Sequence, residues 1–319
     1  MSPPDLPCIM ALKMDMESGR FVKLTACPAC GGTRLRPWRK GAVDPSTVAP
    51  DSFKITDSHY GLTWDLSRCA DCGHVFADPV PTPEFIAALY GALEDPLYDE
   101  ESEGRGKNFL SVLDHLEKLA PEKGRLFDVG AATGIFMGLA RDRGWEVDGV
   151  EPGAWAVVTA RERHGLRIRD GTLETIPLEP ASFDVVTMID LIEHTARPLE
   201  ALRKAGEILK PGGLLCLVTP NVGSAAARIA GKTWWHYRPA HLGYFTRGSL
   251  DALLARTGFV VVRRKAYAWH FSAHYLATRK PALRFLVRNP RLASFLKGIP
   301  IKLALGDSFE IYARKEASR

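Results

Sequence analysis

Two Cys-x-x-Cys-Gly knuckles, Cys27-Pro-Ala-Cys30-Gly and Cys69-Ala-Asp-Cys72-Gly, are the strongest chemical signal in this sequence of 319 residues. Each sets two thiolates on a tight turn, and two such turns brought together supply the four sulfurs of a tetrahedral zinc site. Four thiolates leave no open position for water, so the pattern predicts a structural zinc that holds a fold together and does no chemistry. Unligated or redox-active cysteines are the alternative. His74 follows two residues after Cys72. With four cysteines at hand it reads as a surface or flanking residue and not as a ligand. Of the two remaining cysteines, Cys8 lies near the N-terminus, and Cys216, inside the apolar run LLCLV, reads as a small buried hydrophobe.

The second signal is Leu126-Phe-Asp-Val-Gly-Ala-Ala-Thr-Gly134, a strand ending in a Gly-rich turn that opens a helix. Its spacing, Gly130-x-Ala132-x-Gly134, is not the Gly-x-Gly-x-x-Gly of dinucleotide sites. Asp128, just before it, would repel a pyrophosphate but suits a cationic amino acid group. Seventeen residues beyond Gly134, Glu151 ends the next strand, where a carboxylate can accept two ribose hydroxyls. A third strand leads to Arg169-Asp170-Gly171-Thr-Leu173, which can offer Asp170 to an exocyclic amine and Leu173 to a flat base. After a fourth strand comes Asp190-Leu-Ile-Glu193-His194, at a strand C-terminus, where residues line the crevice of an open α/β sheet. His241 is a candidate general base, a role that adds about 10² to 10⁴ in rate; loop stabilisation is its alternative. Around it, Trp234, Trp235, Tyr237, Tyr244 and Phe245 either stack on a substrate or pack a core.

The elements that must position these residues follow from periodicity. Residues 1–20 read as a flexible tail. Over 21–81 the pattern is short and β-like, with Tyr60, Leu62, Trp64 and Leu66 alternating into Cys69, the signature of a strand in a zinc ribbon. Thr82-Pro83-Glu84 is helix-start chemistry and opens a helical linker over 82–106. Phe109, Val112, Leu113, Leu116 and Leu119 then mark an amphipathic helix. From Gly124 the rhythm becomes strand, turn, helix. Apolar runs at 125–129, 146–150, 167–169, 183–189, 214–219 and 259–262, and a last strand at 309–313, imply a parallel sheet with helices on both faces over 107–319. An insertion, 268–306, precedes the last strand.

Composition excludes several classes. Hydrophobic residues at 46% and charged residues at 25% are ordinary for a globular chain, and no stretch approaches the roughly 18 apolar residues that span a bilayer. Without an export signal pattern, the cytoplasm is the expected location. The net charge of +5 is uneven: between Asp251 and Asp307 there are 11 Lys and Arg and no acidic residue, so the rest of the chain is net acidic. The insertion therefore reads as a cationic amphipathic cover that Pro281, Pro290 and Pro300 break into short helices. A packed subdomain with solvated Arg, capture of a phosphate, and docking on an anionic membrane surface are its three readings.

The Gly130–Gly134 loop, Glu151, Asp170, Phe183-Asp-Val-Val and Leu209-Lys-Pro-Gly-Gly-Leu together resemble the class I S-adenosylmethionine-dependent methyltransferases over roughly residues 107–265. The resemblance implies a doubly wound, Rossmann-like α/β sheet. It implies S-adenosylmethionine held by Asp128, Gly130, Ala131, Gly134, Glu151, Asp170, Gly171, Leu173 and Asp190. Asp190 and His194 read as catalytic residues that orient and polarise the substrate, with helix capping as the alternative, beside His241 as the base. With Cys27, Cys30, Cys69 and Cys72 and the segment Trp235 to Phe245, the layout is similar to bacterial methyltransferases that carry an N-terminal zinc ribbon and modify sugars or polysaccharides. Where deoxysugar C-methyltransferases of that type carry Tyr-x-Glu-His, this chain has Arg238-Pro-Ala240-His241 and keeps only the His. The Asp190/Glu193/His194 spacing also resembles the Glu-x-x-Glu-His of ubiquinone-biosynthesis and small-RNA 2′-O-methyltransferases, which implies a possible second divalent metal there. The implied partner is a small-molecule, phosphate-bearing substrate, a nucleotide- or lipid-linked sugar or related hydroxyl compound. No DNA partner is expected. The competing readings are an RNA methyltransferase and a non-catalytic zinc-ribbon module that recruits a partner; the first lacks Lys/Arg-rich strands interleaved with aromatics.

Overall fold

The computed structural model describes residues 19–54, 56, 60–96, 98, 102–279 and 281–316; Cys8 and residues 1–18 of the expected tail lie outside them. The N-terminal part contains β1 (Phe21–Val22), β2 (Leu35–Arg39), β3 (Leu66–Cys69), β4 (Val75–Ala77) and β5 (Val80–Pro81). Helix α1 (Pro83–Gly91) starts as its sequence dictates, with the Thr82 hydroxyl accepting from Phe85 N at 3.4 Å and Pro83 in the first turn. Helix α2 (Ser102–Leu119) follows. It begins within the stretch read as linker, because Glu103 and Lys107 pair across one turn at 2.7 Å and carry the helix past Arg105.

From there the chain alternates as β6 (Arg125–Val129), α3 (Ile135–Asp142), β7 (Glu146–Glu151), α4 (Ala154–His164), β8 (Arg169–Asp170), β9 (Phe183–Ile189), α5 (Pro198–Ile208) and β10 (Leu209–Pro220). Next come α6 (Ala225–Ala230), β11 (Gly243–Tyr244), α7 (Arg247–Arg256) and β12 (Phe259–Ala266). The insertion supplies β13 (Trp269–Ser272), α8 (Ala273–Arg279), a 3₁₀ segment Pro281–Arg288, α9 (Pro290–Lys297) and β14 (Pro300–Leu303), before β15 (Ser308–Lys315). Pro281, Pro290 and Pro300 each stand first in a new element, as a residue without an N–H must.

Seven strands form the main sheet in the order β12-β15-β10-β9-β6-β7-β8. The pairs β6–β7, β6–β9, β7–β8 and β9–β10 are parallel, while β15 runs antiparallel between β10 and β12. This is the doubly wound arrangement expected, except for the reversed last strand, which sequence alone does not orient. Central strands buried on both faces need continuous apolar runs, and LLCLV within β10 is one. Val112, Leu113 and Leu116 of α2 are fully buried with Leu126 and Tyr312 in one cluster. Ala201, Leu202, Ala205 and Ile208 of α5 belong to another, with Phe183 and Phe259. Each large aliphatic side chain so buried contributes about 1.5–3 kcal/mol.

Three expectations are corrected. Tyr60, Leu62 and Trp64 are not strand: the ladder starts at Leu66. Instead Gly61 takes φ +86° and donates to Tyr237 O at 2.9 Å, and Trp64 Nε1 donates to Pro239 O at 2.7 Å, so this segment packs on residues 234–242. The third strand is Arg169–Asp170 rather than 167–169. The cysteine-bearing sheet is not built from the N-terminal part alone: its order is β11-β4-β3-β2, with β11 contributed from beyond residue 240.

Candidate active site and cysteine cluster

In both knuckles the residue after the second cysteine must be left-handed for the turn to close. Gly31 (φ +73°) donates to Cys27 O at 2.8 Å and Gly73 (φ +80°) to Cys69 O at 3.0 Å. The turns bring the four sulfurs within 4.8 Å of one another, with Cys27 Sγ to Cys72 Sγ at 3.8 Å and Cys30 Sγ to Cys69 Sγ at 3.6 Å. A tetrahedron with Zn–S bonds of about 2.3 Å has edges of about 3.8 Å, so the donor set fits zinc. His74 stands outside the sulfur set, as expected, and of its two readings the surface one is corrected. It is fully buried, stacked on Phe245 at 4.5 Å and Phe76 at 5.6 Å, and burial pushes its pKa down to about 3.

At the C-terminal end of β6, Gly130 (φ +75°) turns the chain and a Cβ there would meet Leu191 Cδ1 at 2.8 Å. The amides of Gly130 and Ala131 donate to Val150 O at 2.9 and 3.1 Å. Ala132 keeps the left-handed form (φ +47°) without being glycine, a strain of about 1–2 kcal/mol. Its amide donates to Glu151 Oε2 at 2.9 Å, while Gly153 N donates to Oε1 at 2.9 Å. Glu151 thus clamps the loop, with burial raising its pKa. The notch at Gly134 faces Ala160 and Leu166, so that glycine lets α4 pack close. Asp128 is buried and accepts from Thr187 Oγ1 at 2.6 Å. Burial pushes its pKa up to about 7, the Thr187 bond opposing and the Glu151 charge adding to the shift.

Beside the loop opens a cavity of about 560 Å³, within the range of small-molecule sites. Of the residues expected at cofactor or chemistry, Asp128, Gly130, Ala131, Asp190, His194 and His241 line it; Gly134, Glu151, Asp170, Gly171 and Leu173 do not. Asp170 is exposed at the end of β8, and Leu173 is buried. Most of the remaining wall is aromatic or aliphatic, including Tyr98, Phe109, Phe136, Tyr267 and Trp269.

Asp190 adopts φ +51° and its amide donates to Val218 O at 3.0 Å, after which the turn Ile192–His194 sends the next side chains elsewhere. Glu193 is buried; its Oε2 accepts from Thr219 Oγ1 at 2.8 Å and its Oε1 has no partner. His194 Nδ1 and the Tyr90 hydroxyl are 2.8 Å apart. His241 packs edge-on against His194, ring centres 4.6 Å apart, and its Nδ1 is buried and unpartnered. Burial raises the carboxyl pKa values of Asp190 and Glu193, lowers that of His194 to about 4 and holds that of His241 well below its ordinary value. Both imidazoles are therefore neutral acceptors at neutral pH. Ligand atoms of Glu193, His194 and His241 lie within 4.8 Å of one another; Asp190, expected beside Glu193 and His194, stands outside that set.

Sequence reasoning missed several wall residues. His236 lies in the aromatic segment, its Nε2 3.3 Å from Asp307 Oδ2, while Tyr90 of α1 stands outside the lining and meets it through His194. Arg105, from the start of α2, has its guanidinium 3.9 Å over the Tyr98 ring, a buried unpartnered Nε, and a field that opposes the rise in Asp190's pKa. Only Arg105 left a local signal, as a cation at the edge of an acidic stretch.

A family model described as a methyltransferase domain matches residues 103–264. The chain belongs to the class I S-adenosylmethionine-dependent methyltransferases. The methyltransferase is 30% identical over 184 residues to a ubiquinone biosynthesis O-methyltransferase of Cereibacter sphaeroides, covering 52% of this chain and 73% of that protein. It is 32% identical over 154 residues to the enzyme of the same description from Azorhizobium caulinodans, covering 44% and 61%. A solved S-adenosylmethionine-dependent methyltransferase from Archaeoglobus fulgidus aligns at 20% identity and TM-score 0.47, over 69% of this chain and all of that one. The methyltransferase acts on a small molecule, and among its described residues no helix is long and apolar enough to cross a membrane.

Proposed function

We propose that this methyltransferase methylates a hydroxyl of an acceptor with an apolar, aromatic body. The observation that carries the reading is the cavity: one end is the Gly130–Ala132 loop, one wall holds the neutral His194–His241 pair, and most of the rest is aromatic or aliphatic, with Arg105, Arg238 and Arg279 among it. S-adenosylmethionine, when bound, supplies an electrophilic methyl group. Asp128 and Arg105 carry the charges that would suit its amino and carboxylate groups, and Glu151, beside the loop, would take its ribose, with Asp170 and Leu173 beyond the cavity lining as the residues for its adenine. His241 accepts the acceptor's proton, while His194, held by Tyr90, and Asp190 orient the hydroxyl. O-methylation is also what the two relatives' names state of those proteins. Arg284, Arg288 and Arg291, the cations expected to hold the diphosphate of a nucleotide- or lipid-linked sugar, are exposed and do not line the cavity; Arg105, Arg238 and Arg279 do, so the apolar body of the wall and not a lack of cations favours the aromatic acceptor. The test is transfer of labelled methyl to a panel of phenols, catechols and nucleotide sugars, with transfer only to nucleotide sugars overturning the reading.

A second activation mode is favoured by two orphaned atoms, Glu193 Oε1 and His241 Nδ1. Buried groups without partners call for an unseen ion or water, and Glu193, His194 and His241 have the donor types for a divalent cation. Glu193, His194 and His241 would hold such a cation, and it would supply polarisation of the acceptor hydroxyl in place of the base. Metal analysis before and after chelation separates the modes. We further read Cys27, Cys30, Cys69 and Cys72 as a structural zinc site, in a ribbon spanning 21–81 joined by a linker over 82–106 to the catalytic domain.

A further inference from the structure

Residues 281–305 form an outer face unlike the rest of the surface. Phe285 and Phe295 are 62% and 67% exposed, and Leu283 and Leu305 are exposed as well. Among the described residues no other phenylalanine is exposed to that degree. Arg284, Arg288, Arg291, Lys297 and Lys302 surround them, all exposed, and none forms an ion pair with a described residue. Arg284 only donates through Nε to Thr278 O at 3.1 Å. No acidic residue lies between 251 and 307 to neutralise them. Leu283 and Leu305 also line the cavity, so the apolar face continues into the mouth of the site.

We propose that this face docks on an anionic lipid surface. Solvated aromatic and aliphatic side chains interleaved with unpaired cations match the two layers of a bilayer surface, acyl chains below and anionic headgroups above. A nucleic acid would satisfy the cations but offers nothing to Leu283 and Leu305. Phosphate capture for catalysis falls to Arg105, Arg238 and Arg279, which line the cavity, whereas Arg284, Arg288 and Arg291 do not and stay free to meet an outside surface. Docking in this pose sets the cavity mouth against the lipid, so an apolar acceptor can enter without crossing water. The proposal does not depend on which group is methylated, because binding to lipid and methyl transfer are measured separately.

The experiment is co-sedimentation of the full chain with vesicles of phosphatidylcholine alone and of phosphatidylcholine mixed with phosphatidylglycerol. The protein should partition onto the mixed vesicles, weakly onto the neutral ones, and come off as salt rises. Each cation near a charged surface is worth about a fivefold change in partition, so Arg284→Gln/Arg288→Gln/Arg291→Gln should lower it roughly a hundredfold. Phe285→Ser/Phe295→Ser should lower it roughly tenfold per ring. Both variants change exposed side chains, and unchanged S-adenosylmethionine affinity confirms their fold. No partition onto mixed vesicles, or partition equal in wild type and both variants, overturns the proposal. Retardation of single-stranded RNA by the wild type, with no vesicle binding, assigns the face to nucleic acid instead.

Discussion

With zinc in the cysteine cluster as proposed, removing it should disarm the His241 segment while leaving cofactor binding largely intact. A structural zinc contributes about 10–16 kcal/mol to folding, comparable to the whole stability of a domain at about 5–15 kcal/mol, so the knuckles cannot hold their turns without it. The sheet they anchor includes β11, and it restrains residues 239–244 through Trp64 Nε1 to Pro239 O at 2.7 Å, Ala77 N to Leu242 O at 2.8 Å, and the β4–β11 pairing. Three such bonds at about 0.5–1.5 kcal/mol each sum to about 1.5–4.5 kcal/mol. Losing them should speed amide exchange at Gly243 and Tyr244 by about ten- to a thousandfold. The Gly130–Ala132 loop is tied to Val150 and Glu151 and not to this sheet, so S-adenosylmethionine affinity should change by less than about threefold. Hydrogen exchange read by mass spectrometry, on Cys72→Ser or zinc-stripped protein, alongside cofactor titration, makes the comparison. Unchanged protection at Gly243 and Tyr244 in protein shown to be metal-free would refute the coupling.

Other consequences follow from the same geometry. Glu151→Ala should weaken S-adenosylmethionine binding at least tenfold by calorimetry, since a charge-assisted bond is worth about 1.5–3 kcal/mol and this carboxylate also clamps Ala132. Cofactor affinity should rise between pH 6 and 8 as Asp128, whose pKa stands near about 7, becomes ionised toward a cationic ligand, and Asp128→Asn should flatten that slope. In the unliganded protein the sign reverses: the pKa of Asp128 is raised above its unfolded value, so the stability its protonated form contributes is lost as pH rises through about 7, which denaturant titration at two pH values will read. His241→Ala should lower turnover by about 10² to 10⁴ with cofactor affinity unchanged, in single-turnover assays.

The sheet was legible because its signal is local. Apolar runs such as LLCLV, glycines at strand ends and the Thr82-Pro83 cap each act within a few residues. Both knuckles were legible for the same reason. What escaped depends on contacts distant in sequence. Trp64 looks like a strand residue until Pro239, 175 positions away, takes its indole hydrogen. His74 looks like a surface neighbour of zinc until Phe245 stacks over it. His241 was picked out by type, yet its approach to Glu193 and His194 is set by the turn after Asp190 and by β11, which no local pattern encodes. Tyr90 and Arg105 were missed because their partners, His194 and the cavity, lie far away in sequence from the helices that carry them.

The most direct measurement is transfer of radiolabelled methyl from S-adenosylmethionine, by the zinc-loaded full chain, to a phenol or catechol of apolar body and to a nucleotide sugar in parallel. The account predicts a labelled methyl ether on the aromatic hydroxyl, reduced by His241→Ala while the cofactor still binds. Label appearing on the nucleotide sugar and not on the aromatic acceptor, or full transfer by His241→Ala, would contradict it.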